Sequence, residues 1–88
     1  MLEKTVEAAL VKRVKELGGI AYKWTSPGRT GVPDRIVMLP GGKIIFVELK
    51  SPTGKLTVRQ EREHETIRGL GFDVIVINSV EAARAFTL

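Results

Sequence analysis

Two acidic residues and one lysine of this chain have the types and the spacing that could do chemistry. Asp34 ends the string Gly31-Val32-Pro33-Asp34, and fourteen positions later Glu48-Leu49-Lys50 closes an apolar run. That run, from Lys43 to Leu49, is rich in β-branched and aromatic residues, which predicts a strand buried on both faces. Charged groups at the end of such a strand need partners of opposite charge, either a side chain or a bound ion.

Two predicted strands position the acidic residues. Residues 34–39 also read as a strand, and Pro40-Gly41-Gly42 between the two predicts a hairpin turn. If the turn is symmetric about Gly41, residues whose numbers sum to 82 face each other. Asp34 then lies opposite Glu48 with Cβ atoms roughly 5 Å apart. Lys50 points to the same side, because residues two apart in a strand share a face.

Paired carboxylates in this position favour a bound cation. At ~4 Å they repel by about 4 kcal/mol at an effective dielectric constant of ~20. Mg²⁺ suits them, since it is commonly held by one or two carboxylates, waters and phosphate oxygens. The chain has no Cys and one His, which argues against a zinc site. The alternative is that Asp34 caps a turn and Glu48 forms an ordinary ion pair with Lys50.

A predicted helix at residues 2–17 adds acidic groups near the strands. It has the apolar stripe of a helix packed on a sheet and stops at Gly18-Gly19. Glu3 and Glu7 both project into that apolar arc at 100° per residue. Either could supply a third carboxylate near the ion, or could merely complement the helix dipole.

A second predicted helix opens at Thr57 and runs to about Arg68. Thr57 and Gln60 have the spacing of a capping box, which alone would explain the glutamine. Gln60, His64 and Ile67 also share one face, so Gln60 could look inward. The two roles are compatible. His64 could be a general acid or base, but a lone helical histidine is more often a surface or packing residue.

Basic residues near the predicted site could contact a nucleic-acid backbone. The loop from Thr25 to Val32 carries Pro27, Gly28 and Gly31, and such loops can wrap phosphates, although solvated flexible loops have the same composition. Trp24 is expected in the core or in a dimer interface. The candidate nucleic-acid-binding residues are Lys23, Ser26, Arg29, Arg35 and Lys55.

The motif resembles that of the PD-(D/E)XK nuclease superfamily, and most closely its VRR-NUC branch. Glu7, the Pro33-Asp34 pair, Glu48-Leu49-Lys50 and Gln60 follow the family order over nearly the whole chain. The resemblance implies a restriction-endonuclease-like fold and a Mg²⁺- or Mn²⁺-dependent endonuclease. For stand-alone viral members it implies homodimers that cut branched DNA, such as four-way junctions or flaps.

The resemblance also assigns roles to residues. It implies metal binding by Glu7, Asp34, Glu48 and the backbone carbonyl of Leu49, with Lys50 and Gln60 as further catalytic residues. Glu7 is preferred over Glu3 because of its distance from the glycine that ends the helix. Two other functions stay open, a catalytically silent nucleic-acid-binding module and a dimerisation domain of the same fold.

Length and composition fit this interpretation. The 88 residues predict one domain, 1–88, with an αβββαβ(α) core and a mixed four-stranded α/β sheet flanked by helices. A chain this short builds a modest core, so oligomerisation would help it. The net charge of +4 favours a polyanionic partner. No transmembrane or signal segment is recognisable, which predicts the cytoplasm, including that of a phage-infected bacterial host.

Overall fold

The computed structural model describes residues 2–87, so Met1 and Leu88 of the predicted domain lie outside the described residues. No helix in this part of the chain is long and apolar enough to cross a membrane. The predicted element order is confirmed. The elements are α1 (Glu3–Glu16), β1 (Ile20–Lys23), β2 (Arg35–Leu39), β3 (Lys43–Leu49), α2 (Val58–Gly69), β4 (Asp73–Ile77) and α3 (Val80–Arg84).

The four strands form one mixed sheet in the order β1-β2-β3-β4. The first two pairs are antiparallel, and β3 and β4 are parallel. Arg35 faces Val47 and Leu39 faces Lys43, so partners in the hairpin sum to 82 as predicted. Gly41 and Gly42 make this turn possible, since both have positive φ values, 87° and 81°.

One side of the sheet holds the hydrophobic core. The stripe of α1 predicted from the sequence is buried there, with Val6, Leu10 and Val14 all at 0% exposure. α3 packs beside α1 on the same core, and Ser79 caps α3 by accepting a hydrogen bond from the Ala82 amide. This rigid layer fixes the strands whose ends carry Asp34 and Glu48.

The other side of the sheet is covered only in part, by α2. Phe46 packs against Trp24 and Phe72 there, with ring centroids 5.3 and 5.7 Å apart. The prediction that β3 is buried on both faces holds only for its second half, because Lys43 and Ile44 are exposed. In β4, which is an edge strand, Val76 is 40% exposed.

Candidate active site

Asp34 and Glu48 lie on neighbouring strand ends, as the hairpin register requires. Asp34 directly precedes β2, and its Oδ2 accepts a hydrogen bond of 2.8 Å from the Leu49 amide. Its backbone carbonyl accepts another, of 2.9 Å, from the Trp24 amide. These two bonds tie Asp34 to both neighbouring strands, so its carboxylate is held against the end of β3.

The carboxyl group of Glu48 is buried beside Asp34. Glu48 is 1% exposed, and its pKa is raised from 4.5 to about 8, with burial as the largest of several causes. A hydrogen bond with Asp34 and repulsion from its charge also raise the pKa, whereas the charge of Lys50 lowers it. A buried carboxyl group with a second carboxyl group beside it supplies the oxygen ligands of a cation site.

Gln60 completes the capping box and also faces inward, toward Glu48. Its Oε1 accepts from the Thr57 amide at 3.0 Å, while Thr57 Oγ1 accepts from the Gln60 amide, so the capping box is complete. Its Nε2 donates to Glu48 Oε2 at 3.3 Å. Both ends of the amide are therefore occupied, and Gln60 orients Glu48 from the first turn of α2.

His64 also belongs to the site, which sequence reasoning missed by favouring a surface or packing role. It is 0% exposed, and its Nε2 lies 3.3 Å from Glu48 Oε1. Burial, followed by the charge of Arg68, lowers its pKa, which favours the neutral ring, and Nε2 and the Glu48 carboxyl oxygen share one hydrogen bond. Its Nδ1 has no partner among the described residues. The available clue was its position four residues after Gln60.

Lys50 follows β3 and lies within electrostatic reach of the acidic pair. Its amide donates to the Ile77 carbonyl at 3.0 Å, which continues the ladder with β4. Its charge lowers the pKa of both Glu48 and His64. The Lys50 ammonium forms no ion pair with any residue in the 2–87 range.

The structure does not bring Glu7 to the acidic pair as a free carboxylate. Glu7 Oε2 accepts from Arg35 Nε at 3.0 Å, and Arg35 Nη1 donates to the Ala21 carbonyl at 2.9 Å. The acid of α1 whose charge acts on Glu48 is Glu3, which contributes to the raised pKa. Between residues 2 and 87, no group of three or more His, Cys, Asp or Glu could hold a metal ion.

Some of the candidate nucleic-acid-binding residues are open to solvent, whereas others are bonded to acidic side chains. Lys23 and Lys55 are exposed, and Ser26 is half-buried. Arg35 is engaged by Glu7, and Arg29 Nε bonds both carboxylate oxygens of Glu63 at 2.7 Å. Arg29 therefore ties its loop to α2, and only part of its guanidinium remains for a phosphate.

Three comparisons with known proteins agree on one family. A model of the VRR-NUC domain matches residues 2–81. The protein named "Putative nuclease p44" from Acyrthosiphon pisum secondary endosymbiont phage 1 is 57% identical over 77 residues, which are 88% of this chain and 83% of that protein. A solved structure named VRR_NUC domain has a TM-score of 0.88 and 38% identity, and the match covers 94% of this chain and 90% of that one.

Proposed function

Because the chain belongs to the VRR-NUC family of nucleases, we propose that it is a metal-dependent endonuclease that hydrolyses DNA phosphodiester bonds, selectively in branched DNA such as four-way junctions or flaps. The observation that carries the metal dependence is the buried carboxyl group of Glu48, whose pKa of about 8 reflects burial and the adjacent Asp34. A divalent cation would remove that cost by favouring the ionised form of both groups.

The donor set fits Mg²⁺ or Mn²⁺. Asp34, Glu48 and the backbone carbonyl of Leu49 offer only oxygen ligands, and such ions keep waters and phosphate oxygens in their remaining positions. Glu7, which the family order implies as a ligand, would reach the ion only by leaving Arg35. In its bonded state it pairs with Arg35, whose guanidinium also bonds the Ala21 carbonyl.

The reaction proposed is in-line attack of water on phosphorus, with formation of one P–O bond and breakage of another. The bound ion supplies Lewis acidity toward the phosphate and makes a coordinated water easier to deprotonate. Lys50 stabilises the added negative charge on the pentacoordinate phosphate with its ammonium. Gln60 and His64 hold the Glu48 carboxylate in place with one hydrogen bond each.

A homodimer is part of this proposal, because several large hydrophobic side chains on one side of the sheet are exposed to solvent. Ile20, Met38 and Ile44 are cross-strand neighbours, and Tyr22 lies on the same side of β1. Their exposures run from 39% to 55%. A second copy of the chain could cover this open sheet face through a two-fold axis. It would set two active sites at a fixed spacing, as paired cuts across a junction require.

The phage relative supports a place of action in the cytoplasm of an infected bacterial host. The polyanionic substrate agrees with the net charge of +4 and with the exposed Lys23 and Lys55. Ser26 lies on the loop that follows β1, and its hydroxyl could also meet a phosphate oxygen.

Asp34→Asn tests the proposal directly. Labelled linear, flap, splayed and four-way DNA would be incubated with Mg²⁺, Mn²⁺ or chelator, with Asp73→Asn as the control, because Asp73 is an exposed acid paired only with Lys43 at 3.9 Å. Asp34→Asn should lower cleavage more than about a hundredfold, since even outer-shell metal partners cost roughly 10–100-fold. DNA binding should persist, because the lost carboxylate repels phosphate.

Other outcomes would identify the alternatives. DNA binding by the wild-type chain without cleavage of any substrate would indicate a catalytically silent binding module. Absence of both DNA binding and stabilisation by divalent ions would indicate a dimerisation domain with an incidental acidic pocket. Equal cleavage in chelator and in Mg²⁺ would contradict the metal dependence itself.

A further inference from the structure

A cleft of about 940 Å³ lies between the loop at residues 27–30 and the flank of α2 that faces away from Glu61 and Glu65. Three arginines line it, Arg29 from the loop and Arg59 and Arg62 from the helix, together with one acid, Glu63. We call this the arginine cleft. Three positive charges against one negative charge leave it at +2, which is half of the chain's net charge of +4.

The walls of the arginine cleft are fixed to each other. Gly31 approaches the helix so closely that a Cβ there would lie 2.8 Å from the Arg59 carbonyl oxygen. The Arg29 amide donates to the Ser26 carbonyl, which closes a turn at the tip of the loop. The Arg29–Glu63 pair then joins that tip to α2. The cleft is therefore a preformed groove, which lowers the entropic cost of binding.

Arg59 and Arg62 have no ion pairs among the described residues. The acid four residues after Arg59 is Glu63, which is bonded to Arg29. The acid three residues after Arg62 is Glu65, which is bonded to Arg68. Each acid that helical spacing offers is thus engaged elsewhere, and two guanidinium groups remain available on one side of the helix.

The arginine cleft adjoins the candidate active site along the same helix. Gln60 and His64 face Glu48, while Arg59 and Arg62 lie within one turn of them, about 5.4 Å along the axis. Glu63, which lines the cleft, directly precedes His64 in the chain. At 100° per residue, Arg59 lies about 100° and Arg62 about 160° around α2 from Gln60, so a strand bound at Glu48 would bend around the first turn of α2 to enter the cleft.

We propose that the arginine cleft binds the phosphodiester backbone of the DNA strand outside the candidate active site, with Arg59 and Arg62 each contacting a phosphate. This rests on the proposed nuclease function. Guanidinium groups bind phosphate oxygens in a bidentate manner. A groove of this volume, with charges one helical turn apart, suits a chain of phosphates better than one small anion. The contacts position the strand without reading its sequence.

The test is DNA binding in chelator, so that cleavage does not enter the measurement. The variant Arg59→Gln/Arg62→Gln is compared with Lys12→Gln/Arg84→Gln, which removes the same charge from exposed positions on α1 and α3 across the sheet. The first variant should bind at least about tenfold more weakly. The slope of log K against log salt concentration should be less steep by about 1–2, because each lost phosphate contact lowers the slope by about 0.7–0.9. The control should change little in either measurement.

Neutral phosphates identify the contacted positions. Methylphosphonate placed at single sites along the strand should weaken wild-type binding at one or two adjacent positions and should not weaken the Arg59→Gln/Arg62→Gln variant there. Equal affinity and equal salt slopes for the two double variants would overturn the inference, even if the wild-type chain cleaves DNA. Specific loss of binding by the arginine variant would support it, even if the wild-type chain cleaves nothing.

Discussion

At the scale of single residues, the proposed function depends on the ionisation of one buried carboxyl group. Glu48 is 1% exposed and receives hydrogen bonds from Gln60 and His64. Burial and Asp34 oppose its ionisation, and only Lys50 among the named charges favours it. Such a group destabilises the folded chain when no cation is bound. Ionisable groups with strongly shifted pKa values are concentrated at functional sites.

His64→Leu tests whether the histidine acts on Glu48 through its hydrogen bond. The leucine removes the Nε2 donor and leaves Glu48 Oε1 against apolar atoms, so more Mg²⁺ is needed to ionise the carboxyl group. The half-saturating Mg²⁺ concentration for cleavage should rise about 10–100-fold, while the maximal rate at saturating Mg²⁺ changes less. Thr5→Ala at an exposed position of α1, outside the arginine cleft, is the control. An unchanged Mg²⁺ dependence would limit His64 to a packing role.

The raised pKa of Glu48 predicts how stability depends on pH in chelator. The folded chain keeps the proton up to about pH 8, whereas the unfolded chain loses it near 4.5, so stability is lost as pH rises toward about 8. The pKa of His64 is lowered from 6.5, so above that pH the ring is neutral in both states and contributes nothing.

Urea denaturation in chelator between about pH 6.5 and pH 8 checks this prediction. The free energy of unfolding should decrease over this window for the wild type, and Glu48→Gln should remove the decrease, because glutamine does not titrate. Added Mg²⁺ should stabilise the wild type more at the upper end, since ion binding releases the proton. If the free energy of unfolding depended on pH in the same way for the wild type and for Glu48→Gln, the raised pKa of Glu48 would be contradicted.

At the scale of elements, the start of α2 couples helix formation to the site. The capping box between Thr57 and Gln60 sets the N-terminus of α2. The same glutamine also donates a hydrogen bond to Glu48. Gly31 brings the preceding loop onto α2 with a φ of +86°, a conformation that L side chains rarely adopt. These contacts hold the loop, the helix and the strand ends together.

Gly31→Ala should destabilise the chain by about 1–3 kcal/mol, because the substitution combines a left-handed φ with a close contact to the Arg59 carbonyl. The matched control is Gly28→Ala in the same loop, where a Cβ would meet nothing within 4 Å and φ is not positive. Its effect should lie within about 0.5 kcal/mol. Thermal and urea denaturation measure both variants, and equal stabilities would show that the loop packs loosely on α2.

At the scale of the whole molecule, the two sides of the sheet serve different purposes. The side under α1 and α3 is a closed core, whereas the side under α2 carries the site and the open sheet face of Ile20, Tyr22, Met38 and Ile44. A chain of 88 residues buries a modest core of its own, so covering this face would add useful stability.

Tyr22→Glu should convert a homodimer to a monomer, because it places a charge in the middle of the open sheet face. Ala8→Glu adds the same charge at an exposed position of α1, on the opposite side of the sheet, and should leave the dimer intact. Sedimentation measures the mass of each chain in solution. A wild-type monomer, or a dimer that resists Tyr22→Glu, would exclude this face as the interface.

The sequence by itself determined the elements, the hairpin register and the placement of Asp34 against Glu48. These follow from local rules, since hydrophobic periodicity and turn residues fix which side of a strand each residue occupies. The capping role of Gln60 was readable for the same reason, because its partner Thr57 is three positions away.

Only the tertiary structure decided which charged residues pair across the fold. It bonded Glu7 to Arg35 and Arg29 to Glu63, which the sequence had assigned to metal or nucleic acid, and it buried His64 against Glu48. These partners are separated by 16 to 34 positions, and their contacts depend on how helices and loops pack on the sheet. Local patterns do not encode that packing, because many side chains of suitable charge compete for each partner.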